Sequence, residues 1–405
     1  MVYATADGVG SRRLRIGMVG GGRNAFIGAV HRMALRLDDR AQLVAGALSS
    51  DPGNARLSGA DLGLDPERAY SDYREMAARE AARPDGIEAV VIVTPNHMHA
   101  PVARAFLEAG IDVICDKPLT ARLDEAEELA ALAQESGLVF AVTFNNTGYA
   151  MVRHARELVA SGALGDIRIV RTDYIQDWLT LPIDADGQKQ AEWRTDPARA
   201  GRSACLADIG VHAFSLAHFV SGLAPTQVLA DLSTFVPGRR LDDNAHVLLR
   251  YETGARGVLV ASQVSPGNLN RLSLKVYGAK AGLEWYAHEP EFLRFAEFGK
   301  PPVTLTRGGP GVAGEAARVS RMPAEHPEGY VEGFGNLYRD AIALIRARRR
   351  GESVDGRLAA LVPSVADGLL GMRFVEAAVT SQEGGSVWTP VSGRARIGAT
   401  GARAG

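Results

Sequence analysis

Cysteine is scarce in this chain of 405 residues: Cys115 and Cys205 are the only two, each inside an apolar stretch. The pattern is that of a chain without a disulfide framework, and with no second cysteine at metal-ligand spacing a structural zinc site has little support. Both read as buried packing residues of a protein in a reducing compartment. An excess of either charge is also missing, because 45 Lys and Arg stand against 47 Asp and Glu, a net −2. That balance argues against nucleic acid as a partner. No apolar run approaches the roughly 18 to 20 uncharged residues of a membrane helix. The opening MVYATADGVGSRRLR lacks the apolar centre of a secretion signal. The expectation is a cytoplasmic protein without a membrane partner. Internal repeats and low-complexity segments beyond the two ends are absent as well.

What is present is an ordinary globular mixture, 46% hydrophobic and 23% charged, at a length that suggests two or three domains of about 150 residues. Residues 1–13 and 392–405 are small, polar and Gly/Arg-containing, and read as frayed tails. From Leu14 to about residue 145, strand-length apolar runs (LRIGMV, AQLVAGAL, AVVIVT, IDVIC, LVFAVTF) alternate with helical patterns. This alternation predicts a parallel sheet with helices on both faces. Pro95 is placed to open the helix that closes on Gly110, and Thr120 to cap the acidic helix that ends at Gly137. Over 146–391 the texture becomes one helix followed by IRIVRTDYI, HVLLRYE, ARGVLVASQ and RLSLKVYG, consecutive strands that imply a largely antiparallel sheet. The chain closes with two long helical patterns, EGYVEGFGNLYRDAIALIRARRR and RLAALVPSVADGLLGMRFVEAAV.

Directly after the first strand, Gly20, Gly22 and Ala25 form G-x-G-x-x-A ahead of an apolar-periodic helix. The first glycine permits a tight turn, the second lets backbone approach a pyrophosphate, and the small third residue lets helix and strand pack closely. Arg23, Asn24 and Phe26 share this turn. A ligand-free glycine turn is the bland alternative, and the flanking β-α-β pattern weighs against it. The second strand ends in Ser49, Ser50 and Asp51 rather than an acid at its last position, so ribose and 2′-phosphate remain nearly open.

Two segments follow parallel strands at their carboxyl ends, Thr94-Pro95-Asn96-His97-Met98-His99 and Cys115-Asp116-Lys117-Pro118. A lysine at the mouth of a dinucleotide site can hydrogen-bond a substrate oxygen during hydride exchange; alone, it would read as an exposed strand-end lysine. Asp208 and His212, four apart on an expected helix, can share one face and relay a proton. An i,i+4 pair that only supports its helix is the plain alternative.

GGGRNAFIG, TPNHMH, CDKPLT and DIGVH, in this order and spacing, resemble the glucose-fructose oxidoreductase, inositol dehydrogenase and MocA family over roughly Leu14 to Val379. Within it, AEWRTDPARAGRSACLADIGVHAF, GALSSDP and YIQDWL most resemble the levoglucosan dehydrogenase-like group. The resemblance implies an α/β protein: a doubly wound Rossmann domain (14–145), then an α+β domain with a large open, mainly antiparallel sheet (146–391). It implies NAD(P)-linked oxidation of a sugar, anhydrosugar or polyol hydroxyl, with NAD the expected cofactor and NADP the alternative, and a homodimer or homotetramer formed through that sheet. The family's Glu-Lys-Pro falls on Asp116, Lys117 and Pro118, its Pro-Asn pair on Pro95 and Asn96, and its Asp-x-Gly-x-His on Asp208, Gly210 and His212. Lys117, Asp208 and His212 are then catalytic. Two departures are Asp116 in place of Glu, and Asn145 and Asn146 where the sugar pocket is shaped.

The same resemblance places Thr94, His99, Asp116, Trp193 and Arg194 with the cofactor, and Asn146, Gln176, Trp178 and His326 with the substrate. Core packing for the tryptophans, a surface ion pair for Arg194 and loop capping for His326 are the alternatives. His97 and His99, two apart without a third ligand, are weak grounds for a metal, and none is expected. Arg346 to Arg350 reads as a solvated helix end. Two rivals accompany the dehydrogenase: a glycoside-cleaving enzyme that oxidises transiently and returns the hydride, and a cofactor-binding regulator without turnover.

Overall fold

The structure, a computed structural model, describes residues 12–23, 25–185 and 188–391. Residues 1–11, 392–405 and Asn24 lie outside the described residues. Arg12 and Arg13, assigned to the first tail, are ion-paired with Glu88 (2.7 Å) and Asp39 (2.5 Å).

The five apolar runs of the first region form β1 (Leu14–Gly20), β2 (Ala41–Ala47), β3 (Ala89–Val93), β4 (Asp112–Cys115) and β5 (Phe140–Val142). They lie side by side in the order β2-β1-β3-β4-β5, every pair parallel. Successive residues of β3 enter opposite cores: Val90 and Ile92 pack with Phe106, Leu129 and Cys115, whereas Ala89 and Val91 pack with Val30 and Leu35. A sheet buried on both faces needs continuous apolar strands, which is why these runs do not alternate. The order reverses direction at β1 and β3, which opens a crevice at their carboxyl ends.

Part of the second core comes from far along the chain. Phe334, Tyr338, Ile342 and Ile345 of the helix Tyr330–Arg349 lie against Leu35 and Val91. The end of that helix is solvated at Arg349 and Arg350 but not at the arginines before them. Arg348 reaches the buried Asp112 at 2.7 Å, and Arg346 donates to the backbone oxygens of Arg12 and Arg40.

The last helical pattern is two helices, Gly356–Ala359 and Val365–Glu383, parted around Pro363, which has no N–H and bars its predecessor from helical geometry. The longer one starts in a capping box between Ser364 and Asp367. Thr120 does not cap the acidic helix Leu123–Ser136; its hydroxyl donates to the Arg122 oxygen, although Gly137 closes the helix in the left-handed conformation.

The second sheet contains β6 (Ile167–Ile175), β7 (Pro225–Ser233), β8 (Asn244–Tyr251), β9 (Arg256–Ser262), β10 (Arg271–Gly278), β11 (Ala281–Tyr286), β12 (Phe292–Glu297), β13 (Val303–Thr306) and β14 (Thr389–Pro390). Their order is β13-β12-β11-β10-β6-β9-β8-β7-β14, and only β6 and β9 pair in parallel. Along β10, Leu272, Leu274 and Val276 are buried while the residues between them are not, the mark of a sheet with one open face. The helices Ala150–Ala160, Val211–Ser221 and Val365–Glu383 contribute Met151, Phe214 and Phe374 to the covered side.

Candidate active site

Gly20 and Gly21, at the end of β1, take φ values of +81° and +72°, a region that favours glycine. The turn that follows is tied down from two sides. Gly22 N–H donates to the Leu48 oxygen beyond β2 (3.2 Å), and Arg23 N–H to Ser58 Oγ (3.1 Å) on the helix Pro52–Asp61. A Cβ on Gly28 would fall 2.4 Å from Gly21 Cα, so Gly28 provides the close packing that the sequence reading gave to Ala25. Ala25 instead precedes the helix Phe26–Arg36 and offers no side-chain cap. First-turn N–H groups of an uncapped helix behind a glycine turn suit a pyrophosphate, so this cradle fits a dinucleotide.

A cleft of about 430 Å³ runs beside the cradle, lined by Gly22, Arg23, Ala25, Phe26, Ser58 and Asp61 among others. Arg23 carries an exposed ion pair, with Asp61 2.6 and 2.8 Å from its guanidinium. Asp51 accepts from the Asn54 N–H as a helix cap, which leaves half-buried Ser49 and exposed Ser50 as the polar side chains at the end of β2.

Thr94 and Pro95 follow β3. Pro95 leads into a short turn, Asn96–Met98, rather than opening the helix, which starts at His99. Asn96 is buried there. Buried His99 has Nδ1 2.8 Å from the Pro118 oxygen and Nε2 2.9 Å from the Thr94 oxygen. Both oxygens only accept, so the neutral ring donates to one of them and packs against the other, between the turn after β3 and the segment after β4. The Asp116 carboxylate is also turned inward: Oδ1 accepts from Lys117 N–H (2.8 Å) and Thr143 Oγ1 (3.0 Å), and Oδ2 faces buried His31 Nε2 at 3.9 Å.

Lys117 points the other way. Its ammonium donates to Asp208 Oδ1 (2.8 Å) and to the Asp208 backbone oxygen (2.7 Å), across 91 residues of chain. The other oxygen of Asp208 accepts from Gln263 Nε2 at 2.9 Å and lies 3.3 Å from Arg194 Nε. The sequence reading paired this carboxylate with His212 on an α-helical face. Residues Leu206–Gly210 form a wider π turn ahead of the helix Val211–Ser221, and the carboxylate goes to Lys117. His212 is placed by other neighbours: Asn146 Nδ2 lies 3.4 Å from its Nδ1, and the rings of Phe144 and Tyr174 stand edge-on at 6.1 Å.

Burial pushes the His212 pKa down to about 3, and Lys117 adds to the effect against the pull of Asp208 and Asp116. The ring is therefore neutral at neutral pH. Burial works to raise Asp208, but Lys117 and Arg194 more than offset it and hold the carboxyl well below its ordinary range.

The remaining assignments divide. Trp193 is half-buried, with the Arg194 guanidinium 4.2 Å over its indole, beside the Asp208 contact. Gln176 bonds Asn270 (2.8 Å), and Trp178 is half-buried nearby in sequence. His326 is exposed on a loop that Arg307 holds through the His326 oxygen at 2.6 Å. Tyr330, four residues on, begins the helix Tyr330–Arg349 with its ring edge-on to Phe334 at 5.3 Å. Burial pushes its hydroxyl up to about 12, with contributions from Asp116 and Asp208. Tyr174, Gln263 and Tyr330 were missed by the sequence reading. Only their positions, at strand ends and behind Gly329, carried a signal.

Residues 14–144 match the model of the oxidoreductase family with an NAD-binding Rossmann fold, and residues 152–284 match the GFO/IDH/MocA C-terminal domain. The oxidoreductase YfiI of Bacillus subtilis is 37% identical over 93% of this chain and 97% of its own. The chain belongs to the Gfo/Idh/MocA oxidoreductase family. As a member it is an oxidoreductase with an NAD-binding Rossmann domain. The inositol dehydrogenase homologue of Azotobacter vinelandii in complex with NAD+ is 39% identical, with a TM-score of 0.90 over 94% of this chain and 98% of that one. The same homologue is also known with NADH and myo-inositol (38% identity, TM-score 0.87). Levoglucosan dehydrogenase with NADH and levoglucosan is 27% identical, with a TM-score of 0.80 over 94% of this chain and all of that one. Among the described residues, no helix of this family member is long and apolar enough to cross a membrane.

Proposed function

We propose that this family member oxidises a secondary ring hydroxyl of a cyclic polyol or pyranose-type sugar to a ketone with NAD, residues 14–145 holding the cofactor and 146–391 the substrate side. The carrying observation is the 2.8 Å contact of Lys117 with Asp208 beside neutral His212, at the carboxyl ends of β3 and β4 next to the glycine cradle. NAD, when bound, supplies the hydride acceptor. His212 takes the hydroxyl proton, as a neutral imidazole can, and the Lys117 ammonium hydrogen-bonds the oxygen as it gains charge. Asp208 keeps the Lys117 ammonium aimed. Arg194 and Gln263 hold Asp208 in turn.

The polyol reading is placed ahead of the anhydrosugar one on the higher identity to the inositol dehydrogenase homologue. The paired Arg23 and Asp61 favour NAD over NADP, because a 2′-phosphate beside Arg23 would also meet a carboxylate. The open face of the second sheet carries Ile169 and Leu248, both over 40% exposed, and suits contact with a second copy of the chain. We place the reaction in the cytoplasm.

The test offers NAD and NADP with inositols, pyranoses, anhydrosugars and glycosides, and follows reduced nicotinamide. NADH formed with a cyclic polyol supports the reading. A glycoside cleaved without net NADH would instead favour the transient-oxidation rival, and bound cofactor with no turnover the regulator.

A further inference from the structure

His212 is enclosed on two sides by Phe144 and Tyr174, and its Nδ1 lies 3.4 Å from the side-chain amide of Asn146. Nε2 carries no hydrogen bond among the described residues, and Lys117 is one of the charges that act on the ring. A neutral imidazole carries a single N–H, so whatever meets Nδ1 decides whether Nε2 has a lone pair or a proton. An amide can present either end. With Nδ2 turned to the ring, as it stands here, it donates to Nδ1 and the ring proton sits on Nε2, where the ring cannot accept the hydroxyl proton. A half-turn about χ2 brings Oδ1 to the ring, where it accepts from Nδ1–H and frees Nε2.

We propose that the Asn146 amide sets the tautomer of His212 and presents Oδ1 to it in the reacting state, which makes Asn146 a positioning residue for proton transfer. The inference rests on the dehydrogenase reading above. In that step the substrate O–H proton moves to Nε2, the carbinol hydride with its electron pair goes to NAD, and Asn146 neither gains nor loses a proton. Afterwards both ring nitrogens carry hydrogen, and only the oxygen end of the amide can accept from Nδ1–H.

The turn that bears Asn146 is fixed firmly enough for this task. Asn146 is 6% exposed, Thr147 Oγ1 donates to the Phe144 oxygen (2.9 Å), and Asn336 Nδ2 donates to the Gly148 oxygen (2.8 Å). A Cβ on Gly148 would lie 2.0 Å from the Gly333 oxygen, so the turn sits flush against the helix Tyr330–Arg349. The charged groups acting on the ring are Lys117, Asp208 and Asp116, with Tyr174 the titratable ring beside it. None of them is hydrogen-bonded to Nδ1.

The test compares wild type, Asn146→Ala and Asn146→Asp, each loaded with NAD+, by the 15N shifts of the His212 ring; a His212→Gln variant identifies the signals. Asn146→Asp, an acceptor only, is expected to hold the Nδ1–H tautomer and move the His212 titration upward by about one pH unit or more. Asn146→Ala is expected to give mixed tautomers and a kcat lowered by about tenfold or more with the KM for NAD unchanged. Identical ring shifts in wild type and Asn146→Ala, or an unmoved titration in Asn146→Asp, would overturn the proposal. So would a change confined to the substrate KM. The ring shifts require no turnover, so failure of every substrate would count against the dehydrogenase reading alone.

Discussion

One ammonium holds two acceptors of a single residue: Lys117 Nζ lies 2.8 Å from Asp208 Oδ1 and 2.7 Å from the Asp208 backbone oxygen. The strand-end loop after β4 is thereby fastened to the π turn ahead of the helix Val211–Ser221. Lys117→Ala should lower kcat by roughly 10²- to 10⁴-fold while the dissociation constant for NAD changes little. Asp208→Asn, which keeps the shape but removes the charge, should also act on kcat. Undiminished turnover in Lys117→Ala, measured by steady-state kinetics, would remove Lys117 from the chemistry.

His212 sets a pH dependence of stability. Folded, it takes no proton until about pH 3, whereas the unfolded chain takes one near 6.5. Between those values the unfolded state binds more protons, so stability falls as the pH drops, by at most ~1.4 kcal/mol per unit for this group. His31 and His99, lowered chiefly by burial, act in the same direction. Denaturant melts from pH 7 to 4 should show a shallower decline in His212→Gln than in wild type. Parallel declines would contradict the neutral ring.

The cofactor cradle depends on a glycine outside the three-residue motif. Gly28→Ala would set a methyl about 2.4 Å from Gly21 Cα and push the helix Phe26–Arg36 off the turn. Calorimetry should show NAD bound tenfold or more weakly, about 1.4 kcal/mol, with the lysine site intact.

The Arg23 and Asp61 pair bears on cofactor choice. Wild type should use NAD better than NADP, and Asp61→Asn should raise kcat/KM for NADP relative to NAD. An unchanged ratio would show that Ser49 and Ser50 decide the matter.

Away from the site, Asp340 is fully buried between Arg153 (2.6 Å) and Arg318 (2.8 Å). Asp340→Asn leaves the buried guanidinium of Arg153 with only the more distant Glu315, at 3.8 Å, as counter-charge, and should cost about 3 kcal/mol, read as a lower midpoint in urea.

The local parts were legible because local patterns carry them. The five strands of the first sheet, the helix Leu123–Ser136 with Gly137 behind it, and β6, β8, β9 and β10 follow from apolar runs and turn residues. The strands β7, β11, β12 and β13 escaped because their runs are shorter or interrupted by polar residues that meet solvent on the open face. The parallel pairing of β6 with β9 has no local signal, since the chain between them includes β7 and β8.

The sequence by itself determined the glycine turn, the lysine after β4, the order of the two sheets and the presence of Asp208 and His212, all of which depend on near neighbours in the chain. Only the tertiary structure decided what those residues face. Asp208 turned to Lys117 rather than to His212 because a π turn redirects it, and Asn146 came to lie beside His212 across 66 residues. Arg348 closed on Asp112 across 236 residues, and His326 stayed exposed on its loop. Such contacts are set by how separately formed elements pack, and packing distance is not written in sequence distance.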